Sequence, residues 1–255
     1  MLVDTHSHLY SKHFNKDIDD VIKRSIDNGI TKIYMPNIDN STTKSMLNLE
    51  KKAPDLFASM MGIHPCEIKQ NYKKELDIAH KELLRGNYVG VGEIGIDLYW
   101  DKTFKNEQID AFKTQVNWAK ELDLPVIIHC RESMDLTIDI IKQEKTDKLK
   151  GIFHCFTGSV DQAFEIMKLG FYMGIGGILT YKNSGLKEVV NQIPMEYLVL
   201  ETDSPYLPPV PYRGKRNESS YVRYVAEELA NVKKLTFKEV ARQTSMNADR
   251  IFKKG

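Results

Sequence analysis

Two histidines stand two residues apart near the start of the chain, His6 and His8 in LVDTHSHL, where a short apolar run of strand type ends. Side chains two apart on a strand project to the same side, so both imidazoles can face one divalent cation. The HxH spacing alone is common, and an ordinary polar strand end reads equally well. Four more ligand-type side chains fall at the ends of other apolar runs: Glu93 in YVGVGEI, His129 in PVIIHC, His154 in GIFHC and Asp203 just after YLVLET. Six such groups exceed what one tetrahedral ion needs. A carboxylate can bridge two ions where an imidazole cannot, so the pattern predicts a cation pair with Glu93 between the two. One ion takes His6, His8 and Asp203, the other His129 and His154. Such a pair brings the pKa of a bound water towards neutrality and polarises a phosphoryl or carbonyl oxygen, which is the chemistry of a hydrolase. Asp203, a carboxylate beside that water, is the general-base candidate.

Residues so far apart in sequence meet only if the fold gathers strand ends at one place. Eight β-rich runs recur along the chain, at 2–6, 32–37, 57–64, 88–94, 125–130, 151–155, 171–176 and 197–202, with amphipathic helical stretches between them. This alternation predicts βα units around a parallel sheet, and eight of them predict closure into a (β/α)8 TIM barrel, with 1–255 as one domain of the usual size. In such barrels the C-terminal ends of the strands ring one mouth, where the chemistry sits. The stretch DIDDVIKRSIDNG puts Ile18, Val21, Ile22 and Ile26 on one helical stripe. The closing residues, 218–252, read as two helices covering the outside of the last strands, the second opened by a Thr cap. The proline-rich segment 204–220 cannot be helical and forms a long loop at the mouth.

Several further residues carry two readings. His64 precedes Pro65 at the end of the third run and either caps it or faces a phosphate or leaving group. Arg131 shares parity with His129, so it grips a phosphate oxygen or serves in an ion pair. Arg213, Lys215 and Arg216 form a basic cluster in the mouth loop, for phosphate contact or solvation. Glu201 has the parity of Asp203 but lies deeper, which suits orienting a ligand. Tyr99, Trp100, Tyr206 and Tyr212 stack on bases or pack under loops. His13 and His80 lie away from strand ends and read as exposed.

Composition narrows the classes. With 42% hydrophobic and 28% charged residues the chain can bury a large core and is not a disordered segment. A net charge of +1 gives no global pull towards nucleic acid or an anionic membrane, so any polyanion needs a local basic cluster. No apolar stretch approaches membrane-spanning length and the N-terminus lacks a leader pattern, which predicts a cytoplasmic protein. Three cysteines without CxxC spacing suggest neither a disulfide framework nor a structural zinc site. Cys130 and Cys155 each follow a site histidine and turn to the opposite face, as buried small side chains.

The ordered blocks DTHSHL at 4–9, GIHP at 62–65, GEIGID at 92–97, HCRES at 129–133, HCFTGS at 154–159 and ETDSPYL at 201–207 resemble the TatD family of metal-dependent deoxyribonucleases, almost end to end. The resemblance implies an amidohydrolase-type TIM barrel that cleaves DNA phosphodiesters, often from the 3′ end, with divalent metal. It implies the same ligands, His6, His8, Glu93, His129, His154 and Asp203, and a histidine like His64 beside the scissile phosphate. Catalysis would fall to Glu93, Asp203 and His64, with DNA as substrate and no obligate protein partner. Four imidazoles favour Zn2+ or Mn2+ by ligand softness, whereas the family's nucleases are described as using Mg2+. One departure is visible: Ser219 and Ser220 follow Glu218 where similar proteins carry a proline, which predicts a less rigid helix start. A small-molecule amidohydrolase or lactonase, or an aminoacyl-ester hydrolase, is the alternative on the same site. Many such enzymes bridge their metals with a modified lysine on the fourth strand, where this chain has GEIG. A non-catalytic metal-stabilised scaffold is the third reading, against which the full ligand set argues.

Overall fold

The structure, a computed structural model, describes residues 1–253. Eight short strands run parallel, and their order in the chain is their order around a ring: β1 (Leu2–Asp4), β2 (Ile30–Pro36), β3 (Phe57–Met60), β4 (Val91–Asp97), β5 (Val126–Arg131), β6 (Gly151–Phe153), β7 (Tyr172–Ile175) and β8 (Leu198–Leu200). β1 to β3 pair continuously, as do β4 to β8. Two narrow seams complete the barrel. At one, Met61 bridges Val91, and Asn37 N–H donates to Gly92 O at 3.0 Å. At the other, Ser7 bridges Ser204, Thr5 N–H donates to Leu200 O at 3.0 Å, and Asp203 N–H donates to His6 O at 2.9 Å. All eight expected strands are present.

Several strands are shorter than their apolar runs, for a reason that matters to the site. His6, His154 and Asp203 lie just past regular pairing, where the backbone opens into the mouth loops. Cys155 and Asp203 there adopt left-handed conformations, φ 47° and 56°.

The helices follow the strands: α1 (Ile18–Asp27), α2 (Thr43–Lys52), α3 (Tyr72–Arg85), α4 (Lys105–Leu122), α5 (Met134–Glu144), α6 (Val160–Lys168), α7 (Leu186–Gln192), α8 (Val222–Lys233) and α9 (Phe237–Phe252). Thr236 opens α9 with a reciprocal capping box to Glu239, and Ser159 does the same for α6 with Gln162. The α1 stripe is displaced from the expected one. Ile26 is 56% exposed, and Ser25 is buried in its place, its Oγ donating to Val21 O at 2.8 Å. Residues 18, 21, 22 and 25 follow the i, i+3, i+4, i+7 rule, which position 26 overshoots.

Two apolar clusters hold the molecule. The larger lies between strands and helices. The smaller fills the barrel with alternate strand residues, including Val3, Tyr34, Met60, Ile127, Ile152 and Val199, and is closed by Ile251 and Phe252. The Phe252 ring stacks on Tyr34 at 3.7 Å, and Asn247 donates to Leu198 O at the start of β8. So α9 plugs the N-terminal end of the barrel rather than lying only on its outside. With that end sealed, the mouth at the other end is where ligands can enter.

The 204–220 loop is firmer than its serines suggest. Arg24 of α1 grips Glu218 with two hydrogen bonds, 2.8 and 2.7 Å, and Arg216 grips Asp17 with two, 2.8 and 2.6 Å. These forked pairs do what a proline was expected to do.

Candidate metal centre

Each oxygen of Glu93 faces its own set of imidazoles. Oε2 lies 3.2 Å from His6 Nε2 and 3.3 Å from His8 Nε2. Oε1 lies 2.9 Å from His129 Nδ1, 3.0 Å from His154 Nε2 and 3.3 Å from His64 Nε2. Asp203 Oδ1 is 3.6 Å from both His6 and His8. On β5, β6 and β8 the parity of the inner residues leads to the site, Ile127 to His129, Ile152 to His154, and Val199 to Glu201 and Asp203. On β1 the site histidines are out of phase with inner Val3, and β4 carries a register irregularity between Val91 and Ile94. All six residues expected as ligands meet, and His64 joins them. Their ligand atoms form three overlapping triads: His6, His8 and Asp203; His6, Glu93 and His154; His64, Glu93 and His129.

Hydrogen bonds decide which ring nitrogen each histidine offers. The Tyr10 hydroxyl donates to Pro36 O at 2.5 Å, so its oxygen accepts from His8 Nδ1 at 2.8 Å and leaves His8 Nε2 facing the site. Asp97 Oδ2 lies 2.9 Å from His129 Nε2 and so turns the Nδ1 lone pair inward. Glu201 Oε1 stands 3.3 Å from His154 Nδ1 and accepts Cys155 N–H at 2.6 Å. His64 is different. Its Nδ1 accepts Cys66 N–H at 3.1 Å, so in the neutral ring Nε2 carries the proton and presents a donor, not a lone pair. By distance His64 belongs to a triad, but by hydrogen bonding it suits an anionic oxygen.

Burial pushes the Glu93 carboxyl up, but the charges of His64, His154 and His6 and the His129 contact outweigh it and hold it well below the usual carboxylate range. Asp203 is also pushed up by burial and is held down by His8, His154 and His6. Burial drives His6 and His64 towards the neutral form. In His8 and His154 burial is outweighed by Tyr10 and the facing carboxylates, and both rise well above the ordinary value. Two ionised carboxylates, Glu93 and Asp203, are thus buried together, and the ring nitrogens around them face one another at 3.1 and 3.4 Å. Divalent cations would relieve both, so the donor set fits them.

The remaining expected residues divide. Arg131 is in no ion pair among the described residues; its guanidinium lies 3.8 Å over the Tyr99 ring, at the wall of a cavity of about 510 Å3 that His64, Glu93, Trp100 and Tyr206 also line. Arg213 lies over Tyr181 at 4.3 Å, and Lys215 over Tyr212 at 5.6 Å. Arg216 has its forked face on Asp17, and a further N–H donates to His13 O. Tyr212 packs on Tyr221 at 4.1 Å, which accounts for it structurally. His13 is exposed, whereas His80 stacks on Trp118 at 4.7 Å. Cys130 and Cys155 are free thiols but half-buried rather than buried. The sequence reading missed Asp97 and Tyr10. Both had a parity signal, Asp97 four residues beyond Glu93 and Tyr10 two beyond His8.

A family model described as TatD related DNase matches residues 3–253. The uncharacterized metal-dependent hydrolase YabD of Bacillus subtilis is 40% identical over 255 residues, covering 99% of each chain. The 3'-5' ssDNA/RNA exonuclease TatD of Erwinia tasmaniensis is 31% identical, covering 98% of this chain and 99% of that one. Among solved structures, the TatD homolog YjjV of Escherichia coli K12 superposes with a TM-score of 0.93 at 28% identity, covering 98% of this chain and 97% of the other. No helix among the described residues is long and apolar enough to cross a membrane.

Proposed function

Because the chain belongs to the TatD family of metal-dependent hydrolases, we propose that it is a deoxyribonuclease, a single-domain cytoplasmic enzyme that hydrolyses phosphodiesters of single-stranded DNA from the 3′ end. The observation that carries this reading is the division of Glu93, with one oxygen towards His6 and His8 and the other towards His129 and His154. That division suits a carboxylate between two divalent cations, of zinc, magnesium or manganese, with Asp203 completing the His6 and His8 set. When bound, the cations supply an acidified water and neutralise charge on the phosphate.

The protein's own groups do the rest. Asp203, kept in its charged form by the histidines around it, accepts a proton from the attacking water at a carboxylate oxygen. His64 donates a hydrogen bond from Nε2 to a phosphate or leaving oxygen and keeps its proton, a role its Cys66 contact prepares. Arg131 at the cavity wall grips a non-bridging oxygen, and Arg213 and Lys215 guide the strand. Tyr10, Asp97 and Glu201 hold His8, His129 and His154 in orientation. Incubation of an oligonucleotide labelled at its 5′ end with protein and Mg2+, Mn2+ or Zn2+ tests the reading. A ladder shortening from the 3′ end is expected. An intact oligonucleotide in all three metals, with ester, lactone or aminoacyl-ester turnover instead, would transfer the site to the alternative chemistry.

A further inference from the structure

Two exposed aromatic rings stand across the mouth from one another, and each is anchored through its backbone N–H to an acidic residue of the site, Trp100 to the Asp97 carboxylate and Tyr206 to the Asp203 main-chain carbonyl. Trp100, 68% exposed, follows β4, and its N–H donates to Asp97 Oδ1 at 3.0 Å. Tyr206, 51% exposed, follows β8, and its N–H donates to Asp203 O at 2.8 Å. Each aromatic lies three residues after its acid. In a ring of eight strands β4 and β8 are diametrically opposed, and both rings line the cavity that holds Glu93 and His129. Their loops are fixed: Asp97 also accepts Tyr99 N–H, and Asn217 donates to Tyr206 O at 2.6 Å. Arg131 lies 3.8 Å over the Tyr99 ring and 5.1 Å from the Trp100 ring centroid, yet Trp100 and Tyr206 remain largely in water.

We infer that Trp100 and Tyr206 form a two-sided clamp for unpaired nucleobases on either side of the scissile phosphate. The inference rests on the nuclease reading and deepens it by naming the groups that select the substrate. Aromatic rings recognise any base, since every base has a π-face, while Arg131 between them and the metal-binding groups meets the phosphate. A base inside a duplex is stacked on both faces and offers neither to a ring. The clamp therefore selects ends with at least two unpaired nucleotides and ignores their sequence.

The protein carries only two tryptophans, and Trp118 is buried against His80, so a base stacking on Trp100 is visible in intrinsic fluorescence. The probe is a phosphorothioate hexathymidylate, with an abasic hexamer of the same backbone as its partner. Expected is quenching by the thymidylate and little by the abasic strand. Trp100→Ala and Tyr206→Ala each weaken thymidylate binding about tenfold, while Trp100→Phe and Tyr206→Phe keep it within about threefold. Melting curves confirm that the alanine variants are folded. Equal affinity of wild type and both alanine variants, or equal binding of the abasic strand, overturns the clamp. Base-dependent quenching in a protein that cuts no oligonucleotide keeps the clamp and removes the nuclease. Cutting with unchanged affinity in both alanine variants does the reverse.

Discussion

His129 Nε2 lies 2.9 Å from Asp97 Oδ2, while the other oxygen of that carboxylate accepts the N–H groups of Tyr99 and Trp100 at 2.9 and 3.0 Å. One buried acid thus orients a candidate ligand histidine and fixes the loop that carries the mouth aromatics. Burial pushes Asp97 up, but the hydrogen bonds from His129, Trp100 and Tyr99 hold it well below the usual range, so it is ionised throughout the working pH. Asp97→Asn keeps the shape and removes the charge. Metal affinity is expected to fall about 10–100-fold, the usual effect of losing a carboxylate behind a histidine ligand, as read by competition with a chromogenic chelator. An unchanged affinity would separate Asp97 from the centre.

Glu93→Gln tests the division of the carboxylate directly. The amide retains the volume but offers a single acceptor oxygen and no charge to five surrounding imidazoles. Bound metal per chain should fall from about two towards one or none, and turnover by about 100-fold or more, in line with losing one charge-stabilising group. Elemental analysis after gel filtration measures the first, and hydrolysis at saturating metal the second. Full metal content in this variant would exclude Glu93 as a bridge.

The mouth loop depends on ionised Asp17. The hydrogen bond from Arg216 lowers its pKa, burial opposes this, and the charges of Arg216 and Arg24 lower it further. For an acid with a depressed folded value, the contribution is fully present above the unfolded pKa, 3.8, and is lost as pH falls through the folded value. The loop should therefore hold from neutral pH down to about pH 4 and loosen only below that. Asp17→Asn should loosen it already at pH 7. Hydrogen exchange over 204–220 reports both, and equal protection in wild type and variant at pH 7 contradicts the pin.

The barrel was legible because period-two apolar runs and period-3.6 helices alternate eight times, and because ligand-type side chains fall at the ends of those runs. His129, His154 and Asp203 also follow the parity of inner Ile127, Ile152 and Val199, whereas His6 is out of phase with inner Val3 and Glu93 follows a register irregularity in β4. What orients them was harder to read. Asp97 and Tyr10 each reach a site histidine through one hydrogen bond, and their parity with Glu93 and His8 is a signal that any polar strand end shares. The pairing of Arg216 with Asp17 was out of reach because the two sit 199 residues apart, and pairing at that separation exists only once the barrel closes. The displaced α1 stripe, with Ser25 inside and Ile26 outside, follows from a serine that satisfies itself on the helix backbone and so can be buried.

Removing metal should cost stability as well as activity. The six candidate ligands come from both ends of the chain and converge only in the folded state, so cations bind the native form alone. At a free concentration a hundredfold above Kd this contributes about 2.7 kcal/mol, which for a chain of this size is roughly 5–11 °C in Tm. Scanning fluorimetry with and without a chelator, followed by re-addition of Mn2+, Zn2+ or Mg2+ separately, measures it and ranks the metals. A melting temperature indifferent to all three would contradict the centre.

Gly174 reaches the site without touching it. A Cβ at this position would lie 2.0 Å from Glu201 Oε2, and β7 cannot retreat because it is paired on both sides, with Gly174 opposite Val199 of β8. Gly174→Ala must therefore displace Glu201, the carboxylate that accepts Cys155 N–H and faces His154 Nδ1. Overpacking of this kind costs about 1–3 kcal/mol, and the freed His154 should lower metal affinity as well. Gly176→Ala is the control two residues on, where the added Cβ meets Glu201 only at 3.7 Å, an ordinary contact. Chemical denaturation and metal titration of the two variants should separate them clearly. If both behave alike, Glu201 does not hold His154 in place.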